Sequence, residues 1–194
     1  MGLWHLPAPL ILASTSKYRI AQLRRLAVEF SCVAPDYAEL PVPGLSARAL
    51  VAHHALQKTL SVQRLFPDAL VLGADQGVVL DDALIGKPGT TPAAVAQLLQ
   101  LQGRTHVLLT VVVLAQPGRA AQSLVSSTEV TVRPLTQAQA QAYVDQDQPL
   151  DCAGSYKIEA AGPWLFERLV GEDPTAIEGL PLIAVAELLR AAGA

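Results

Sequence analysis

Apolar and polar positions fall along the chain in blocks that predict strands and helices in turn. Pro9-Leu-Ile-Leu-Ala13 is a short apolar run that stops at Ser14-Thr-Ser16, after which Ile20, Leu23, Leu26 and Ala27 recur at helical spacing. That order is strand, hydroxyl-rich turn, helix. Val28-Glu-Phe-Ser-Cys-Val33 alternates as a second strand and ends at Pro35-Asp36, opening a loop that holds Glu39 and the breakers Pro41, Pro43 and Gly44. Ser46 is the expected N-cap of an amphipathic helix from Ala47 to about Leu65 that ends before Pro67. Its stripe is Leu50, His53 or His54, Leu56 or Gln57, and Leu60.

Ala69-Leu-Val-Leu-Gly-Ala74 is nearly continuous in apolar character, as expected of a strand buried on both faces, and runs into Asp75-Gln76 before Gly77-Val-Val-Leu80 resumes it. After Gly86-Lys-Pro88, Thr91 and Pro92 predict an N-cap and first turn, Val95, Leu98 and Leu99 an apolar face, and Gly103 the stop. Thr105 to Ala115 and Ser123 to Val132 are β-rich runs joined through Gln116-Pro-Gly-Arg119, an expected antiparallel hairpin. Thr136 caps a polar helix to about Gln146. Residues 148–175 lose period and collect Gly154, Gly162, Gly171 and Pro174, which predicts loop with short strands. A last helix spans about Leu180 to Ala192, with Ile183, Ala186 or Glu187, and Leu188 on its face. Helices alternating with strands before a hairpin predict an α/β fold with a mixed sheet, formed by residues 1–194 as one domain or one domain with two lobes.

Composition narrows the class. With 51% hydrophobic and 16% charged residues the chain can build a core and is too poor in charge for disorder. A net charge of −3 without a Lys/Arg cluster argues against a nucleic-acid-binding face. Cys32 and Cys152 stand far apart with no further ligand at metal spacing, so they read as reduced thiols of a cytoplasmic protein. The N-terminal run Met1-Gly-Leu-Trp-His-Leu-Pro lacks the positive region of an export signal, and no apolar stretch reaches the ~18 residues of a membrane span. Ten Arg stand against only four Lys, at positions 17, 58, 87 and 157. Lys kept in so Arg-rich a chain are candidates for sites that need a compact point charge.

The polar residues at strand ends form one set: Ser14, Ser16 and Arg19 after the first strand, Glu39 in the next loop, Asp75 and Gln76 on the apolar strand, and Lys87 after a glycine. Ligand sites of α/β sheets gather at strand ends. A hydroxyl turn entering a helix with Arg19 one turn in suits an anion such as phosphate, although plain N-capping by Ser16 explains the turn equally well. Asp75 is harder to explain as a turn cap, because the apolar run continues beyond it and an unpaired buried carboxylate costs several kcal/mol. Pairing, protonation or a hard divalent cation would satisfy it, with Glu39 as the candidate second metal ligand, a position that taken alone reads as a solvated loop. From spacing alone Lys58 reads as a solvated helix position, a reading that the scarcity of Lys weakens somewhat. His53 and His54 are adjacent and cannot chelate one metal together, and His5 and His106 have no partner at a recognisable spacing. Neither a Ser-His-Asp order nor a GxxxxGK loop is present.

Leu10-Ile-Leu-Ala-Ser-Thr-Ser16 with Arg19, Gly73-Ala-Asp-Gln76 and Gly86-Lys-Pro88 together resemble the signature of the Maf family of nucleotide pyrophosphatases. Cys152-Ala-Gly-Ser-Tyr-Lys-Ile-Glu159, Leu165-Phe-Glu-Arg168 and Gly179-Leu-Pro-Leu182 are similar to the branch that acts on 7-methyl-GTP, whereas the dTTP and UTP branch typically has Asp-Thr where this chain has Asp75-Gln76. The resemblance implies a two-lobed α/β fold with a central cleft, a mixed sheet flanked by helices, relatedness to inosine triphosphate pyrophosphatases, and a homodimer. It implies hydrolysis of a nucleoside triphosphate to monophosphate and pyrophosphate with a divalent cation, Mg²⁺ or Mn²⁺. Asp75 then takes the catalytic acidic position, with Glu39 as a second metal ligand. Ser14, Ser16, Arg19, Lys58 and Lys87 fall at phosphate-handling positions, Lys157 joins them or pairs with Glu159, and Tyr18, Gln76 and Glu159 fall where the base is discriminated. Lys17 departs from a common Pro, Tyr18 from a frequent Trp, and Ala38 from a common acidic residue. An aromatic ring at position 18 preserves stacking on a cationic base. The other readings are the same reaction on dTTP, UTP or another non-standard nucleotide, and a nucleotide-binding regulator of septum formation without turnover.

Overall fold

A computed structural model describes residues 4–194. The N-terminal run Met1-Gly-Leu-Trp-His-Leu-Pro begins with residues 1–3, which lie outside the described residues. Among the described residues the strands are β1 (Leu10–Leu12), β2 (Phe30–Cys32), β3 (Leu70–Leu80), β4 (Ala83–Ile85), β5 (Thr105–Ala115), β6 (Gln122–Val132) and β7 (Phe166–Gly171). The helices are α1 (Lys17–Arg24), α2 (Ala47–Gln63), α3 (Thr91–Leu101), α4 (Gln137–Asp147) and α5 (Leu182–Ala191). The sheet runs in the order β2-β1-β3-β5-β6-β7, with β4 on β3 off that path. β1 is parallel to β2 and β3, whereas β4 on β3 and β7 on β6 are antiparallel, so the sheet is mixed as expected. β5 and β6 are neighbours joined by the six residues between them, a link long enough only for the expected hairpin.

The chain forms two compact units. One holds the residues up to Asp75, Thr110–Ser126 and Asp173–Ala194; the other holds Gln76–Leu109 and Ser127–Glu172. In the first unit the register pairs Leu10 with Leu70 and Leu12 with Leu72, so strand alternation sends these leucines to one face. There they bury against Leu23 of α1 and Val185, Leu188 and Leu189 of α5. Each such side chain is worth about 1.5–3 kcal/mol on leaving water. The opposite face carries Ile11, Ala13 and Val71, which pack with Val62 of α2. Gly73 and Asp75 follow Val71 at the same parity, so they too face α2. In the second unit α3 packs on α4 and on the 3₁₀ turn Ala153–Ser155.

Several details differ from the sequence reading for local reasons. The buried face of α2 is Val51, His54, Ala55, Lys58, Thr59 and Val62, one residue away from the expected leucine stripe. Close approach to β3 favours Ala55 and Thr59 over bulky Leu56 and Leu60, and His54 and Lys58 are buried because each has a partner. The cap of α3 is Thr90, whose hydroxyl accepts from the Ala93 N–H, not Thr91. Ala27, expected on the α1 face, lies beyond the helix with φ of 54°. On α5 the packed positions are Leu182, Val185, Leu188 and Leu189, and Ile183 is 58% exposed. The expected caps Ser46 and Thr136 are both present, the latter as a capping box with Gln139.

Candidate active site

The centre of the first unit is a cation between two carboxylates. Asp75 lies within β3, not at its end, and is 7% exposed. It therefore needs a partner, and Lys58 of α2 donates to its Oδ1 at 2.6 Å. The same Nζ lies 2.6 Å from Glu39 Oε1, on the loop between β2 and α2. One ammonium thus bridges a buried carboxylate and a half-exposed one. Gly73 makes the approach possible: a Cβ there would overlap Thr59 Oγ1 and come within 3.1 Å of Thr59 Cβ. A larger residue at 73 would hold α2 away from β3, and Lys58 away from Asp75.

Arg19 approaches the same carboxylates. Its Nε donates to the Gly179 carbonyl at 3.2 Å, and burial lowers its pKa against the opposing pull of Asp75 and Glu39. Gly179, at φ of 117°, ends the 3₁₀ turn Ala176–Glu178, a conformation that only glycine takes without strain. Gln22 braces this turn from α1, donating to the carbonyls of Thr175 and Leu180. Asp173 and Thr175 cap α5 from outside the helix, accepting from the N–H groups of Ile183 and Leu182. Ser14 is buried and its Oγ accepts from the Ser16 N–H, while Ser16 caps α1 by accepting from the Arg19 N–H. The N-capping reading of Ser16 therefore holds, and it fixes the first turn that carries Arg19. Tyr18 is half-buried on that turn, with the Lys17 ammonium 4.9 Å from its ring centre.

The second unit contains the remaining candidates. Gln76 follows Asp75 in β3 and points to the opposite face of that strand. Lys87 is exposed on the link between β4 and α3, and Glu159 is exposed after the 3₁₀ turn Ala153–Ser155. Gln97 of α3 ties these two segments together: its amide donates to the Gly86 carbonyl at 3.0 Å and accepts from Ser155 Oγ at 2.6 Å. Lys157 is held at the end of α4. Its Nζ donates to the carbonyls of Asp147 and Gln148 at the C-terminus of α4, where a cation is favoured by the helix dipole. Tyr143 accepts from the Lys157 N–H, which fastens the segment a second time.

Residues that the sequence reading passed over hold these groups in place. Tyr37 is hydrogen-bonded to His54 Nδ1 at 2.8 Å, pinning to α2 the loop that carries Glu39. Burial and the nearby Glu39 and Asp75 raise the Tyr37 pKa, keeping its hydroxyl protonated. His106, which had no partner by spacing, meets the Tyr156 hydroxyl at 2.9 Å across 50 residues of sequence. Burial lowers the His106 pKa to about 4 and raises that of Tyr156, so both are neutral near pH 7. Of these four residues only Tyr156 carried a sequence signal, as part of the Cys152–Glu159 motif.

The donor set suits a small divalent cation. Magnesium is commonly held by one or two carboxylates, the remaining positions being filled by water and substrate phosphates. Asp75 and Glu39 supply two hard oxygens gathered about one point, and no cluster of three or more His, Cys, Asp or Glu able to hold a metal occurs among the described residues. Cations and carboxylates so arranged have the charge and chemistry that suit a polyanionic substrate. The chain belongs to the Maf family: the family model described as Maf-like protein matches residues 9–192. The 7-methyl-GTP pyrophosphatase of Xanthomonas axonopodis pv. citri is 47% identical over 184 residues, covering 95% of this chain and 96% of its own. That of Polaromonas sp. is 44% identical over 186 residues, covering 95% and 85%. Among solved structures, the Staphylococcus aureus Ham1 protein is similar at TM-score 0.47 and 14% identity, over 64% of this chain and 71% of that one. No helix among the described residues is long and apolar enough to cross a membrane.

Proposed function

We propose that this chain is a nucleoside triphosphate pyrophosphatase that hydrolyses 7-methyl-GTP to 7-methyl-GMP and pyrophosphate, clearing a modified nucleotide. The observation that carries the chemistry is the Asp75–Lys58–Glu39 bridge, with Arg19 beside it. A divalent cation, Mg²⁺ or Mn²⁺, held by Asp75 and Glu39 supplies charge neutralisation to the triphosphate. Asp75 accepts the proton of the attacking water as its oxygen bonds to the α-phosphorus and the bond to the α,β-bridging oxygen breaks. Pyrophosphate leaves with the negative charge, which Arg19, Lys58 and Lys87 offset. Ser14 and Ser16 set the turn that presents Arg19 and backbone N–H groups to phosphate.

The relatives' names support the choice of base, and so does the side-chain chemistry. A 7-methylated guanine is cationic, so an aromatic ring and a carboxylate recognise it in ways they do not recognise neutral bases. Tyr18 supplies the ring, Glu159 the carboxylate and Gln76 a donor and acceptor for the guanine edge. The enzyme is further read as a cytoplasmic homodimer.

The test is pyrophosphate release from 7-methyl-GTP, GTP, dTTP and UTP with Mg²⁺ and with Mn²⁺. Turnover of 7-methyl-GTP is expected to be the fastest; equal or faster turnover of dTTP or UTP would move the chain to the other enzymatic reading. Asp75→Asn should lower kcat about 10²–10⁴-fold, the usual contribution of a positioned base, while nucleotide binding persists. Wild-type protein that binds 7-methyl-GTP without hydrolysing it would favour the regulatory reading.

A further inference from the structure

We infer that Lys58 occupies the divalent-cation position in the nucleotide-free protein, so that the metal enters only together with the triphosphate. The inference rests on the proposed pyrophosphatase reading and concerns the order in which that site fills.

Its basis is the charge and geometry at one nitrogen. Lys58 Nζ lies 2.6 Å from Oδ1 of Asp75 and 2.6 Å from Oε1 of Glu39, the two oxygens assigned to the metal. Lys58 and Asp75 are both buried, so this is a desolvated ion pair. The Arg19 guanidinium adds a second positive charge that acts on the same two carboxylates. A free dication arriving here meets carboxylates already neutralised, and must displace an ammonium that both of them hold at 2.6 Å.

A triphosphate reverses that balance. Its oxygens offer the ammonium a stronger partner and supply the ligands that two carboxylates leave unfilled. The lysine stem has four rotatable carbons, so Nζ can move to a phosphate without moving α2. The species recognised is therefore the metal–triphosphate complex, and Lys58 exchanges a carboxylate pair for phosphate as it binds.

The experiment is Mn²⁺ titration followed by electron paramagnetic resonance of the free ion, with and without a non-hydrolysable α,β-methylene analogue of 7-methyl-GTP. Wild-type protein alone should bind Mn²⁺ at least tenfold more weakly than protein with the analogue. Lys58→Met should bind Mn²⁺ at least tenfold more tightly than wild type when no nucleotide is present, and its melting temperature should rise on adding Mn²⁺ where that of wild type does not. Lys58→Gln repeats the test in a second side chain, and Lys58→Arg, which keeps the charge, should restore exclusion. Equal Mn²⁺ affinity of wild type with and without the analogue overturns the inference, as does unchanged affinity in both neutral variants. Failure of the underlying reading shows separately, as absence of pyrophosphate release from 7-methyl-GTP by wild-type protein.

Discussion

Gly73→Ala tests how packing between β3 and α2 controls the centre. The added methyl overlaps Thr59 Oγ1 and lies 3.1 Å from Thr59 Cβ and 3.3 Å from its Cα. Rotating the Thr59 hydroxyl away breaks its 2.8 Å bond to the Ala55 carbonyl in a fully buried position. Rotation does not relieve the contacts to Cβ and Cα, which move only if α2 moves. Overpacking of this kind costs about 1–3 kcal/mol, slightly reduced by the lower unfolded-state entropy of Ala. Thr59 adjoins Lys58, so a displaced helix also lengthens the 2.6 Å contact to Asp75, and a loss of about tenfold in kcat/KM is expected. Adding Thr59→Ala removes the overlapping hydroxyl. A urea-denaturation cycle of the two single variants and the double variant, read by circular dichroism, should show a favourable coupling of about 1 kcal/mol or more. Additive costs within about 0.5 kcal/mol, with kcat/KM unchanged in Gly73→Ala, would refute the reasoning.

Two further outcomes follow from His106 and Lys157. The His106 pKa is lowered from the ordinary 6.5 to about 4 by burial, so the unfolded chain takes up a proton between those values that the folded chain refuses. Stability therefore falls as pH drops through that window, by about 2 kcal/mol between pH 7 and 5, and His106→Phe should abolish that share of the loss in urea midpoints at the two pH values. Lys157→Met removes two charge-assisted bonds at the end of α4 and should cost about 1 kcal/mol of stability, with KM for 7-methyl-GTP changed less than threefold. A tenfold rise in KM at unchanged stability would instead make Lys157 a phosphate ligand.

Much of the framework was legible in local pattern. The apolar run through Ala69–Ala74, interrupted by Asp75 and resumed at Val78, already marked a carboxylate that needed a charged partner, a metal ion or a proton. The helix limits at Ser46, Thr136 and Gly103 follow from caps, which act over three or four residues and so are written in adjacent positions. Apart from the family resemblance, Lys58 was visible only as a scarce residue type. Periodicity assigned it to solvent because a hydrophobic stripe counts lysine as polar, whereas α2 turns it inward against two acids. His106 and Tyr156, and Gln97 with Gly86 and Ser155, were invisible for a related reason: each joins segments distant in sequence, and no spacing rule reports such contacts.

Local order along the backbone determined which segments are strands and helices, where the caps fall, and which polar side chains interrupt apolar runs. Tertiary structure alone decided that Gly73 admits Thr59, that Lys58 then reaches both Asp75 and Glu39, and that the Gly179 carbonyl holds Arg19. The division has a physical cause. Capping and periodicity are interactions within a turn or two of the chain, while the pairing of buried charges depends on which strand and helix faces meet, and that is settled only when the whole core packs.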